Sequence, residues 1–295
     1  MPRQSKTRPR TAPLPVVRTK AALRTAVAAF RKKRETVALV PTMGALHAGH
    51  LALVAEARKR CDRVVVSVFV NPTQFGPNED FGRYPRDLAA DRKLLAAAGA
   101  DLVFAPTVAA MYPDGFATTV AVEALASDLD GRFRPGHFTG VATVVAKLLA
   151  MASPDAAVFG EKDYQQLAIV RRLVRDLDLP VAIVGIPTVR EADGLALSSR
   201  NAYLTSEQRR AAPALHEALS AAAREAAGDF GAWSDIAERA TRVVRARGFD
   251  RVDYLELRDA ETLGAPDPKR PARVLAAAWL GATRLIDNVP VPRKR

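Results

Sequence analysis

The chain has 295 residues, 44 Lys+Arg against 32 Asp+Glu, a formal charge of +12, four histidines and one cysteine, Cys61. At ~150 residues per domain this is two domains' worth of chain with room for a sizeable core, and its ordinary composition excludes collagen-like and wholly disordered classes. One cysteine excludes an internal disulfide framework and a Cys-based zinc site and fits a reducing compartment, while the longest apolar run, Val274 to Ala282, is far short of the ~20 residues that cross a bilayer.

Residues 1–34 hold eleven Lys/Arg and no acid, and 293–295 hold three more, so residues 35–292 sum to −2. A nucleic-acid footprint needs cations spread over a folded face, and here they sit at the two ends. A transit peptide is Arg-rich and acid-poor but also Ser-rich, and residues 1–34 contain a single Ser. The expectation is a solvated tail plus a basic first helix, with no nucleic-acid or membrane partner.

Residues 1–16, with four Pro, read as disordered. Thr19 to Arg34 carries Leu23, Val27 and Phe30 at helical spacing. Val37–Val40 is a short apolar strand, Leu51–Arg60 a helix, Arg63–Val70 a buried strand, and Arg86–Ala98 a helix stopped by Gly99. Strands follow at Asp101–Phe104 and Thr118–Val122, then a helix at Gly140–Met151. A strand at Ala156–Phe159, a helix at Tyr164–Asp176 and a strand at Val181–Ile186 complete the pattern. Strands alternating with helices indicate crossover units and a doubly wound, Rossmann-like parallel sheet. Beyond Pro187 the pattern changes to two helices, Ser206–Ala227 and Trp233–Arg247. Three strands, Val252–Leu257, Arg273–Leu280 and Thr283–Ile286, follow and suggest a smaller α+β domain with an antiparallel sheet. The domain division is therefore a basic leader at 1–14, a first domain at 15–187 and a C-terminal domain at 188–295.

Four polar segments fall where such a sheet binds ligands. Pro41–His50 follows the first strand and opens a helix, placing His47 and His50 on one face of its first turn. Gly44 and Gly49 permit close backbone approach, and the helix N-terminus suits phosphate. A zinc reading lacks a third ligand, since only His137 and His216 remain. The segment is neither a Walker A loop nor a dinucleotide fingerprint. Asn71 and Gln74, in Phe69–Phe75, are neutral groups able to fix hydroxyls or a carbonyl. Gly160–Gln166 places Lys162 where it can neutralise charge on a transferring phosphorus, with Asp163 beside it and Gln166 on the same face. Leu197–Asn201 adds Ser198, Ser199 and Arg200, suited to polyphosphate. Arg132–Gly140 is a polar loop that either lines the cleft or is buried. The donors outnumber the acceptors, and no Ser-His-Asp or paired-carboxylate arrangement is legible. This is a site for a nucleoside triphosphate, with phosphoryl or nucleotidyl transfer as the reaction class.

At Pro41–His50, Asn71–Phe75, Arg132–Gly140, Gly160–Gln166, Arg190–Leu204 and Thr283–Asn288 the sequence closely resembles the pantoate–β-alanine ligase (pantothenate synthetase) family. The resemblance implies a cytoplasmic homodimer with a nucleotide-binding domain and a C-terminal lid. It implies ATP as substrate with Mg2+ held mainly by the ATP phosphates, and pantoate and β-alanine as the other small-molecule partners. It implies that pantoate is activated as an adenylate before β-alanine attacks. It assigns His47 and His50 to the phosphates, His50 as proton donor, and Lys162 to the α-phosphorus. Gln74 and Gln166 would hold pantoate, Gln74 also β-alanine, with Asn71 nearby. Met43, Gly44, Gly160, Asp163, Val189, Leu197, Ser198, Ser199 and Arg200 fall to the nucleotide. The alternatives are a nucleotidyltransferase of the same superfamily, a nucleic-acid-binding protein using the basic ends, and a catalytically inactive scaffold.

Overall fold

The computed structural model describes residues 13–77 and 79–293. The first domain alternates strand and helix: β1 Val16–Val17, α1 Lys20–Lys32, β2 Val37–Thr42, α2 Ala48–Arg60, β3 Arg63–Val68, α3 Leu88–Ala98 and β4 Leu102–Phe104. Three single-turn helices, α4 Val108–Met111, α5 Glu123–Ala126 and α6 Asp130–Phe133, lead to α7 His137–Ala152, β5 Ala156–Gly160, α8 Tyr164–Asp176 and β6 Ala182–Ile186. The six strands form one sheet in the order β1-β4-β3-β2-β5-β6, with every pairing parallel. The chain winds outward from β2 through β3 and β4, then returns across β2 to place β5 and β6 on its other side. That reversal opens a crevice at the carboxyl ends of β2 and β5. The central strands are apolar on both faces because helices cover both: Leu39 and Val65 face one cluster, Val40 and Val66 the other.

The second domain comprises α9 Ser206–Ala211, α10 Ala214–Ala226, α11 Trp233–Ala246 and the antiparallel sheet β7 Arg251–Asp259, β8 Ala272–Leu280, β9 Thr283–Pro290. Strand β8 is central, and its alternate residues serve different cores. Val274, Ala276 and Ala278 pack under α10 and α11, whereas Leu275 and Ala277 join the core of the first domain. This two-sided burial explains the uninterrupted apolar run seen in the sequence, and it fuses the small sheet to the large domain.

Three expectations need correction. Thr118–Val122 is irregular: the Val120 N–H donates to Thr143 Oγ1 of α7 at 2.9 Å, so a side chain takes the place of a strand partner. The helix expected over Ser206–Ala227 is broken at Pro213, which lacks the N–H needed to continue α9. Residues 13–16 are structured: Leu14 is 1% exposed, and Val16 pairs with Val103 at the sheet edge. Apolar Leu14, Val16 and Val17 were the signal, outweighed in the sequence by neighbouring prolines. The rest of the expected leader, residues 1–12, lies outside the described residues. Among the described residues no helix is long and apolar enough to cross a membrane.

Candidate active site

The crevice is lined by Met43, His47, His50, Asn71, Gln74, Gly160, Lys162, Asp163, Gln166, Val189, Leu197, Ser198, Ser199 and Arg200. All the singled-out residues converge there except Gly44, which sits behind the wall. Gly44 (φ 85°) and Ala45 (φ 50°) are both left-handed and turn the chain between β2 and α2. Successive backbone N–H groups in such a turn form a concavity for an anion. Here that anion is the protein's own: Asp91 of α3, 3% exposed, accepts from Leu46 N at 2.9 Å and from Ala45 N at 3.2 Å. Burial raises the Asp91 carboxyl against the pull of those two donors.

The N-terminus of α2 is capped by imidazoles. His47 Nδ1 accepts from Gly49 N at 3.2 Å, and His50 Nδ1 accepts from His47 N at 3.3 Å. The rings lie 4.1 Å apart. With Nδ1 an acceptor on each ring, a neutral imidazole carries its proton on Nε2. Burial and the neighbouring His47 push His50 down to about 3, and burial with Lys162 nearby lowers His47. Both rings are therefore neutral donors at neutral pH. The backbone N–H groups of His47 and Gly49 are spent on the rings, and each neutral ring presents an Nε2–H donor.

Asn71, 1% exposed, is fully engaged by protein. Its Nδ2 donates to Gln74 Oε1 and to Gly140 O, both at 3.1 Å. Its Oδ1 accepts from Tyr112 Oη at 2.8 Å and Thr73 Oγ1 at 3.0 Å. Asn71 thus orients Gln74, whose Nε2 lies 3.3 Å from Met43 Sδ. Apolar walls from Val141, Val144, Val145 and Leu148 of α7 stand beside this pair.

Each cation of the crevice has a carboxylate partner. Lys162, on the turn after β5, lies 3.3 Å from Asp163. Arg200 forks onto Asp80 at 2.8 and 3.0 Å, and Arg134 onto Glu79 at 2.6 and 2.7 Å. Burial raises the Asp163 carboxyl, but the Lys162 and Arg200 charges outweigh it and hold it below the usual range. Ser199 Oγ donates to Ala45 O at 3.0 Å, so the Leu197–Asn201 segment closes directly onto the histidine loop. Among the described residues no group of three or more His, Cys, Asp or Glu side chains is placed to hold a metal ion.

Known proteins share both this sequence pattern and this fold. The family profile described as pantoate–β-alanine ligase matches residues 15–290. The chain belongs to the pantoate–β-alanine ligase family. It is 58% identical to the pantothenate synthetase of Paramagnetospirillum magneticum, over 94% of this chain and 97% of that protein. The crystal structure of pantothenate synthetase from Thermus thermophilus superposes with a TM-score of 0.87 at 54% identity, covering 94% of this chain and 99% of that one. The Francisella tularensis pantoate–β-alanine ligase, crystallised with beta-gamma ATP and β-alanine, gives 0.80 at 34% identity, covering 94% and 97%.

The fold also gives work to the Arg132–Gly140 loop and to residues that the sequence did not single out. His137 Nδ1 donates to Gln74 O at 2.7 Å while Arg134 Nη1 donates to its Nε2 at 3.0 Å. Burial and the Arg134 charge push His137 down to about 4. Within Arg132–Gly140, Arg134 and His137 line the cleft and Phe138 and Gly140 are buried, while Arg132, Phe133, Pro135 and Gly136 are exposed. Tyr112, Asp80 and Asp91 carried no signal beyond their residue types. Each acts on a segment distant in sequence, and only the fold brings them together.

Proposed function

We propose that this chain condenses pantoate with β-alanine, at the expense of ATP, to give pantothenate, AMP and pyrophosphate. The observation that carries this reading is the convergence, at the β2/β5 switch point, of one lysine, two neutral imidazoles and two glutamines in a single cleft. In the first step a pantoate carboxylate oxygen attacks the α-phosphorus. The new O–P bond forms as the bond to the β-phosphate oxygen breaks, and pyrophosphate leaves. The Nε2–H groups of His47 and His50 donate to phosphate oxygens without adding charge. Lys162, released from Asp163 as the polyphosphate enters, faces the charge that grows at the α-phosphorus. Arg200 exchanges Asp80 for a phosphate in the same way, with Ser198 and Ser199 alongside.

Gln74 and Gln166 hold pantoate's hydroxyls, and the valine wall of α7 accepts its methyl groups. Gln74, oriented by Asn71 and His137, also meets β-alanine. In the second step the β-alanine amine attacks the acyl carbon, the C–O bond breaks, and AMP leaves with that oxygen. Closure of the second domain keeps water from the adenylate. Met43, Gly160, Asp163, Val189 and Leu197 border the nucleotide, and Gly44 contributes by shaping the loop.

The cleft's carboxylates are each paired with a cation, so its donor set suits a polyanion rather than a resident metal. Mg2+ therefore enters with ATP, held mainly by the phosphates, and supplies charge neutralisation there. The family likeness supports a homodimer in the cytoplasm, and the single Cys61 fits a reducing compartment. The test is product analysis with each substrate omitted in turn. AMP together with an amide product should require ATP, pantoate and β-alanine; formation of ADP would contradict the reading.

A further inference from the structure

Near the end of strand β9 stands a polar pair, Asp287 and Asn288, that does not line the cleft. Asn288 is 2% exposed and Asp287 5%. The Asn288 amide reaches out of the second domain: its Nδ2 donates to Glu161 O and to Lys162 O, both at 2.9 Å. Its Oδ1 accepts from Arg273 Nη1. The amide orientation is unambiguous, because a guanidinium only donates and carbonyls only accept. Arg273 is fixed in turn by the Glu161 carboxylate at 2.9 Å and by the Tyr164 ring, 3.9 Å beneath it. Asp287 is forked by Arg190 at 2.7 and 2.9 Å and accepts from Asn288 N at 2.7 Å, which locks the strand end itself.

We propose that Asn288 is a positioning residue for Lys162, its amide clamping the two carbonyls of the turn from which Lys162 reaches the cleft. The inference rests on the ligase reading of Lys162. That turn, Glu161–Asp163, is a single 3-10 turn between β5 and α8. A lysine side chain has four rotatable bonds, so the place of its ammonium depends on where the backbone starts. Two hydrogen bonds to consecutive carbonyls, one of them the lysine's own, fix that start. The clamp comes from the second domain, so Lys162 is set in place by a strand 126 positions away in sequence.

The test measures pantoate-dependent ATP–pyrophosphate exchange in the wild type, Asn288→Ala, Lys162→Ala and the double variant. Asn288→Asp, equal in size but presenting an acceptor to two carbonyls, serves if the alanine variant does not fold. A displacement of ~1 Å can cost ~100-fold, so kcat for exchange is expected to fall about 10- to 100-fold. KM for ATP and for pantoate should stay within about threefold, because the loss lies in the transition state. In the Lys162→Ala background the added substitution should change exchange less than about twofold, since its effect runs through Lys162. A lower melting temperature with unchanged exchange per folded molecule would overturn the proposal, and so would an undiminished loss in the Lys162→Ala background. Absence of exchange in the wild type would instead overturn the ligase reading, and the proposal with it.

Discussion

At the scale of single residues, two kinds of charge management coexist in the cleft. Lys162 is held by the Asp163 carboxylate, whereas burial keeps His47 and His50 neutral, helped by the Lys162 charge at His47 and by His47 at His50. This separates their variants. Lys162→Ala removes a charge needed mainly in the transition state, so exchange should fall by about 100-fold or more with the melting temperature nearly unchanged; near-normal turnover would refute its role. His50→Ala also removes the acceptor for His47 N, so activity and stability should fall together, the latter by about 1 kcal/mol. These residues were legible because a strand–helix junction rich in His and Gly, and a lysine directly after an apolar strand, are local signals. Asp91 and Tyr112 were not legible, since a lone Asp within a helix and a lone Tyr in a loop look the same whether or not they brace a site.

At the scale of elements, the cleft depends on close approaches that leave no room for a side chain. A Cβ on Gly140 would stand 2.3 Å from Thr73 O, where α7 meets the turn carrying Asn71 and Gln74. Gly140→Ala should push that turn away, raise KM for pantoate and destabilise the fold by about 1–3 kcal/mol; an unchanged KM would show that the turn does not set the pantoate site. Gly44 combines φ 85° with a Cβ position 2.9 Å from the Asp91 carboxylate. Gly44→Ala therefore strains the loop and disturbs its anchor at once, and the loss of stability measured by urea unfolding should exceed the ~1 kcal/mol typical of a left-handed residue alone. The sequence marked Gly44 as permissive without saying what approached it, and it gave Gly140 no such role. Element types were legible wherever hydrophobic period and length agreed, as in α1, α8 and β3. They failed at Thr118–Val122, where one threonine hydroxyl replaced a strand partner, and at Pro213, where a helical pattern ran through a residue that cannot continue it.

At the scale of the whole molecule, the positive charge divides into two unrelated parts. The whole of the excess lies in residues 1–34 and 293–295, the rest of the chain being slightly acidic, while the cleft uses Lys162, Arg134 and Arg200, each already balanced. Binding of a polyphosphate is then an exchange of carboxylates for phosphates. The buried histidines set the response to acid. His50, His47 and His137 titrate below the 6.5 of an unfolded chain, so the unfolded state binds more protons beneath that value. The stability these groups provide is complete above 6.5 and is lost as pH falls toward about 4 for His137 and about 3 for His50. The urea midpoint should drop between about pH 7 and pH 5, before most carboxylates titrate; a flat profile would contradict the buried neutral state.

The switch from a parallel sheet to a small antiparallel one was legible from the change of pattern after Pro187. The fusion of the two parts was not, because it rests on Leu275 and Ala277 facing one core while their neighbours face another. The central claim is that a carboxylate oxygen of pantoate is joined to the α-phosphorus and departs with AMP. Pantoate labelled with 18O in its carboxylate, turned over with ATP and β-alanine, tests it most directly. AMP should carry one 18O per turnover and pyrophosphate none; label in orthophosphate, or unlabelled AMP beside labelled product, would contradict the account.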